Sequence, residues 1–204
     1  MKMKKAPKLI RSIEMTHLFV IGSVRYWGKL IRSGLIYGFA DAARSALSFL
    51  QERVVLVPID KFAEQDRAKK TRKNIPFDKV LSFVWTILLS MCLASLLGLY
   101  MGYLHSISIF LVVTILTLFS LYHTFLVLAI ALYEYKQGPY DGKWFYAYTL
   151  DYMIRNPFKS LFVLMLTWSS MGIAYFNLVL FVFLVPSLYW MMVQKGLHVK
   201  ANER

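Results

Sequence analysis

The chain has 204 residues, 58% of them hydrophobic and only 17% charged, with a formal net charge of +13. A soluble domain of this size runs near half apolar and a quarter charged, so the excess points to lipid as the solvent and excludes intrinsic disorder. A single cysteine, Cys92, sits inside an apolar run and excludes a disulfide scaffold.

The position of the charges decides between partners. Residues 1–79 hold 17 Lys/Arg against 7 Asp/Glu, and residues 80–204 hold 7 against 4. The cations fall between apolar runs, where they report membrane topology, so no nucleic-acid partner is expected. Lys2, Lys4, Lys5, Lys8 and Arg11 open the chain, and an apolar stretch of only seven residues, 18–24, follows. Glu14 and His17 interrupt its lead-in and no small-residue cleavage site follows, unlike a signal peptide.

Arg25, Lys29 and Arg32 are spaced four and three apart, which puts them on one helical face. They read as a contact for anionic lipid or a partner. Residues 33–50 are apolar apart from Asp41 and Arg44, three apart on neighbouring turns. A single crossing here would leave the N-terminal cations outside, against the positive-inside rule. Either a short hairpin returns the chain to the cytoplasm or part of 12–50 lies in the interface as an amphipathic helix. The hairpin is preferred, because it gives the small residues Gly34, Gly38, Ala42 and Ala46, one every fourth position, a helix to face.

The basic segment 51–79 follows, densest at Arg67, Lys69, Lys70, Arg72 and Lys73, a pattern suited to anionic headgroups or a docking partner. Residues 80–133 contain no Asp, Glu, Lys or Arg. At about 1.5 Å per residue and a core of about 30 Å, that is two spans, near 80–102 and 107–133. Ser90, Ala94, Gly98 and Gly102 repeat the four-residue spacing of a packing seam. His105 falls at the predicted outer turn. His123 lies in mid-span near Ser120 and Thr124, and a lone histidine there reads as a hydrogen bond to a neighbouring helix.

Residues 134–159 form a cytoplasmic connection. Six tyrosines between 133 and 152 match an interfacial aromatic belt, and Pro157 suits a helix start. Residues 160–194 are again free of charge and read as two short spans with a tight turn at 175–177, around Asn177. Pro186 should kink the last span and free the carbonyl of Val182 for another donor. The tail, 195–204, is cytoplasmic. The expected fold is therefore all-α, a polytopic transmembrane helix bundle forming a single membrane domain. It has four spans plus an N-terminal hairpin or interfacial segment over 12–50, six spans in the preferred count, with both termini cytoplasmic.

No nucleophile, zinc, dinucleotide or phosphate-loop motif is present, and the four histidines and one cysteine have no metal-ligand spacing. Neither enzyme activity, a cofactor nor a metal is expected. Intramembrane polar residues are the remaining candidates, namely Asp41, Arg44, His123 and Asn177.

The order of features resembles the YesL-like family of small bacterial multi-pass membrane proteins. The likeness is carried by Gly38-Phe39-Ala40-Asp41-Ala42-Ala43-Arg44-Ser45-Ala46-Leu47, a basic segment over 62–77, two spans, Arg155-Asn156-Pro157-Phe158-Lys159-Ser160-Leu161, and Val185-Pro186-Ser187-Leu188-Tyr189. Asp41 stands where the family has proline, and Val185 where it has glycine. The resemblance implies a place in the bacterial cell membrane beside carbohydrate ABC uptake systems. The leading expectation is a non-enzymatic accessory protein touching transporter subunits and anionic lipid, with a homo-oligomer left open. The alternatives are a self-sufficient solute transporter or channel, or a substrate-capturing subunit.

Overall fold

The computed structural model describes residues 8–34, 36–53, 77–101, 106–136 and 142–198. Among them the chain is all helical. The helices are α1 (Lys8–Arg32), α2 (Phe39–Arg53), α3 (Phe77–Tyr100), α4 (Ser106–Lys136), α5 (Gly142–Arg155), α6 (Pro157–Phe176), α7 (Leu178–Phe183) and α8 (Val185–His198). Three stretches are long and apolar enough to cross a membrane: Lys79–Tyr100 in α3, Ile109–Tyr133 in α4, and Pro157–Phe176, the whole of α6. Twenty residues or more rise about 30 Å, the thickness of a bilayer core.

The described residues fall into two compact units, one drawn from 8–29, 42–53 and 167–198, the other from 30–41 and 77–166. In the second unit α3 and α4 form an antiparallel hairpin: Trp85 meets His123 and Phe119, and Tyr122 Oη donates to Leu81 O at 2.9 Å. Most of α3 is exposed, with 11% of its membrane-length window buried, against 56% for α4. The difference arises in the second half of α4, where Leu126 to Leu132 are all buried. There α5 covers it. Phe145 packs on Ala129 and Leu132, ringed by Tyr133, Tyr146, Tyr148 and Tyr152. The tyrosines expected at the headgroup level thus also build a core. After α5 the chain leaves the helix at Asn156, and Pro157 opens α6 as its sequence context predicts.

In the first unit, α2 buries Ala42, Ala43, Ala46, Leu47, Phe49 and Leu50, and α8 buries Val185, Ser187, Trp190, Met191, Val193 and Gln194. Six-residue α7 buries nothing.

Two expected packing seams differ in the structure. Gly34 and Gly38 do not continue a stripe with Ala42 and Ala46, because both lie in the turn between α1 and α2. Gly34 has φ 78°, a left-handed conformation that stops α1, and its N–H bonds Ile31 O at 3.0 Å. Gly38 is needed for a close approach, since a Cβ there would run into Ser33 Oγ. On α3, Ser90 and Ala94 are exposed and Gly98 is half-buried, while Gly102 lies outside the described residues. The face α3 turns inward carries Ser82 and Cys92.

Candidate functional site

A helix passing through Pro186 cannot keep its hydrogen-bond ladder, because proline has no N–H to give the carbonyl four residues back. The ladder gives way at Leu184 (φ −123°, ψ −40°), between α7 and α8. Leu184 N–H still reaches Leu180 O at 2.9 Å, and Leu188 N–H reaches Leu184 O at 3.1 Å. The loss is local, to the Val182 carbonyl and the first amides of α8.

Helix α1 supplies the missing partners. Trp27 Nε1 donates to Val182 O at 2.9 Å. Ser23 Oγ accepts from Ser187 N at 3.3 Å and donates to Ser187 Oγ at 3.0 Å. Ser23 and Trp27 are one turn apart, and their partners lie five residues apart in the opposite sense. Thus α1 runs antiparallel to the α7–α8 pair and clasps it across the break. The approach depends on Gly22, where a Cβ would lie 2.5 Å from Ser187 Oγ and 3.3 Å from the Phe49 ring. Phe181 adds an edge contact to Trp27, with centroids 6.0 Å apart. Nearby in the same unit, the Thr167 and Tyr189 hydroxyls are 3.0 Å apart, joining α6 to α8. Gln194 Oε1 is buried with no hydrogen-bond partner among the described residues. A buried acceptor in that state draws a water or a ligand donor.

The second unit has its own polar centre. Trp85 Nε1 donates to His123 Nδ1 at 2.9 Å. An imidazole nitrogen accepts only when unprotonated, so in the neutral ring the proton sits on Nε2. Phe39 stacks on Trp85 at 4.3 Å, and Phe119 closes the cluster 5.7 Å from His123. These rings dock the start of α2 on the α3–α4 hairpin. Hydrogen bonds reinforce the docking, from Ala40 N to Ser82 Oγ at 3.3 Å and from Thr86 Oγ1 to Ile36 O at 3.0 Å. Ala40 N–H is one of the unpaired first-turn donors of a helix, capped here by a side chain from another helix.

Asp41, Arg44, His123 and Asn177, expected to form a polar membrane site, lie on α2, on α4 and at the N-cap of α7. His123 is buried in the aromatic cluster and accepts from Trp85 Nε1, and Thr124 Oγ1 donates to Ser120 O at 2.8 Å. Asn177 is exposed and caps α7, its Oδ1 accepting from Leu180 N at 3.0 Å. Asp41 is exposed in the first turn of α2, and Arg44 is half-buried. Arg25, Lys29 and Arg32 are all exposed on α1, with the Arg25 guanidinium 4.6 Å from the centre of the Phe49 ring. Arg67, Lys69, Lys70, Arg72 and Lys73 lie outside the described residues, as does the outer turn with His105. Pro186 sits in the first turn of α8, just past the break.

The clasp residues Gly22, Ser23 and Trp27 were not singled out in the sequence. Their only signal there is a Gly-Ser pair inside the one apolar stretch of α1, one turn before a tryptophan. Among the described residues no group of three or more His, Cys, Asp or Glu is placed to hold a metal ion. Comparison with protein-family models, with characterised proteins and with solved structures gave no match, so the site is read from its own chemistry.

Proposed function

We propose that this chain is a non-enzymatic accessory integral membrane protein, working beside a bacterial carbohydrate ABC uptake system. The observation that supports an accessory role is how the buried polar groups are used. Trp85 bonds His123, Trp27 bonds Val182, Ser23 bonds Ser187 and Thr167 bonds Tyr189. Polar side chains spent on one another hold helices together in lipid, whereas a solute path needs polar groups free to exchange partners. The link to carbohydrate uptake rests on the YesL-like order of sequence features.

In this reading α3, α4, α6 and the α7–α8 pair cross the cell membrane, with the basic segments and both termini cytoplasmic. Helix α1 crosses alongside the α7–α8 pair as one arm of the N-terminal hairpin, with α2, about 22 Å long, as its short return arm. Affinity purification in mild detergent at native expression is expected to recover ABC transporter subunits. Repeated recovery of the bare protein would refute the association.

One observation favours a second reading, a self-sufficient carrier. A broken helix near the midplane is a common home for a transported solute, and Gln194 Oε1 is a buried acceptor still to be matched. Flux of a sugar or ion into liposomes holding the purified chain alone would select that reading.

A further inference from the structure

Helix α5 is tied at both ends to the level where membrane-capable stretches stop. Near its start, Phe145 packs on Ala129 and Leu132 of α4, whose membrane-length stretch ends at Tyr133. At its other end a single residue, Asn156, separates Arg155 from Pro157, where the stretch of α6 begins. The proposed crossing of those two stretches, on which this inference rests, lays α5 along the bilayer surface. At 1.5 Å per residue it runs about 21 Å there.

With 3.6 residues per turn, α5 presents three sides. The first packs inward and carries Phe145 and Thr149, both buried, and half-buried Tyr152. The second starts at Tyr146, whose ring meets that of Phe125 with centroids 6.3 Å apart. Phe125 comes about 12 Å before Tyr133 along α4, inside the membrane-length stretch, so this side of α5 faces the bilayer. Leu150 and Ile154 follow Tyr146 at successive turns, both exposed, Ile154 to 79%. The third side carries the exposed ion pair of Asp151 and Arg155, 2.8 Å apart, about 140–180° around the axis from Tyr146.

The apolar row does not end with α5. Phe158, 85% exposed, carries it past Asn156 onto the open face of α6 with Leu161, Phe162 and Met165. Only 17% of the α6 stretch is buried, so in the proposed crossing lipid already covers that face. Lys159 Nζ turns back to Tyr152 Oη at 3.0 Å, which draws the cation toward α5 and the headgroups.

We infer that α5 is an in-plane helix that sinks Leu150, Ile154 and Phe158 into the leaflet where α4 ends and α6 begins. Asp151 and Arg155 stay in water on the opposite side, the partition of an amphipathic interfacial helix. The occupant of the row is lipid, because the same row runs without interruption into a membrane-length stretch.

The test places single nitroxide labels on the full chain in phosphatidylglycerol–phosphatidylcholine nanodiscs, with Cys92→Ala as the background. Labels at Leu150→Cys and Ile154→Cys should be open to oxygen and shielded from a water-soluble nickel chelate, at a depth of about 5–10 Å. Labels at Asp151→Cys and Arg155→Cys should show the reverse. Equal access of the chelate to all four overturns the inference, since α5 would then stand clear of the lipid. Shielding of Ile154→Cys from both agents overturns it in favour of a covering protein, a second copy included. A label at Leu93→Cys, on the exposed face of α3, reads the membrane crossing separately. Lipid exposure there, with the chelate reaching Ile154→Cys, overturns the in-plane helix and leaves the crossing standing. Access of the chelate to Leu93→Cys removes both.

Discussion

Helices α1 and α3 reverse the usual link between apolarity and burial. The window in α3 has a mean hydropathy of 2.3, the highest of the three membrane-capable stretches, yet only 11% of it is buried. Helix α1 does not reach the hydropathy of a membrane span, yet it buries Gly22, Ser23, Tyr26 and Leu30. In water this would be a misfold. In lipid it is the expected arrangement, because acyl chains solvate leucine and phenylalanine as well as a protein interior does. What lipid cannot solvate is an open carbonyl, an open amide or a polar side chain, so those decide which surfaces meet. Close approach then selects for small residues at the contact, as at Gly22.

The contrast is most exposed to failure at Gly22. Gly22→Leu forces a side chain into Ser187 and Phe49 and is expected to destabilise the protein by about 3 kcal/mol. The check is thermal unfolding in detergent, and an unchanged midpoint would mean that α1 is not clasped to α8. Next comes Trp27→Phe, which keeps a ring but leaves the Val182 carbonyl unmatched, at about 1–2 kcal/mol. That loss should shrink by half or more in a Pro186→Ala background, where residue 186 regains an N–H for the same carbonyl. A double-mutant cycle measures the coupling, and strict additivity would remove Pro186 from the explanation. Trp85→Phe removes the donor to His123 within the α3–α4 hairpin and should cost about 1 kcal/mol in the same assay. In a His123→Phe background, where the acceptor is already gone, Trp85→Phe should cost less than it does in the wild type, and an equal cost would remove the bond from the explanation. The smallest effect belongs to α3. Ala94→Leu, on its exposed face, is expected to change stability by less than about 0.5 kcal/mol in the monomer. A larger loss, together with a shift of the oligomer toward monomer by light scattering, would show that this face meets a second copy.

Much of this arrangement is legible in the sequence, for identifiable reasons. Charge-free runs of 54 and 35 residues mark helices that lipid surrounds, since only helices satisfy their own backbone there. Pro157 at the start of α6, Asn177 between α6 and α7, and the carbonyl left open by Pro186 follow from local rules about which amide can bond which carbonyl. The candidate sites were less legible. Four-residue spacing identified Gly34 and Gly38 as part of a helix stripe, but a left-handed φ at Gly34 ends α1 and puts both in a turn. Spacing cannot tell a glycine that admits a neighbouring helix from one that stops its own. For His123 the expected hydrogen bond to a neighbouring helix is present, but that Trp85 is its donor could not be read from the residues around it.

The sequence by itself determined the solvent, the helical class and the places where the backbone ladder must open, because each is fixed by composition or by bonds within a few residues. Only the tertiary structure decided which side chains close those openings. Trp27 and Ser23 are 155 and 164 residues from the groups they satisfy, and nothing local in either segment encodes that distance. The net charge of +13 divides in the same way. Its concentration between the apolar runs reports topology from the sequence alone. The place of Arg25 and Lys29 beside a helix break follows only from the clasp, through contacts between segments far apart in the chain.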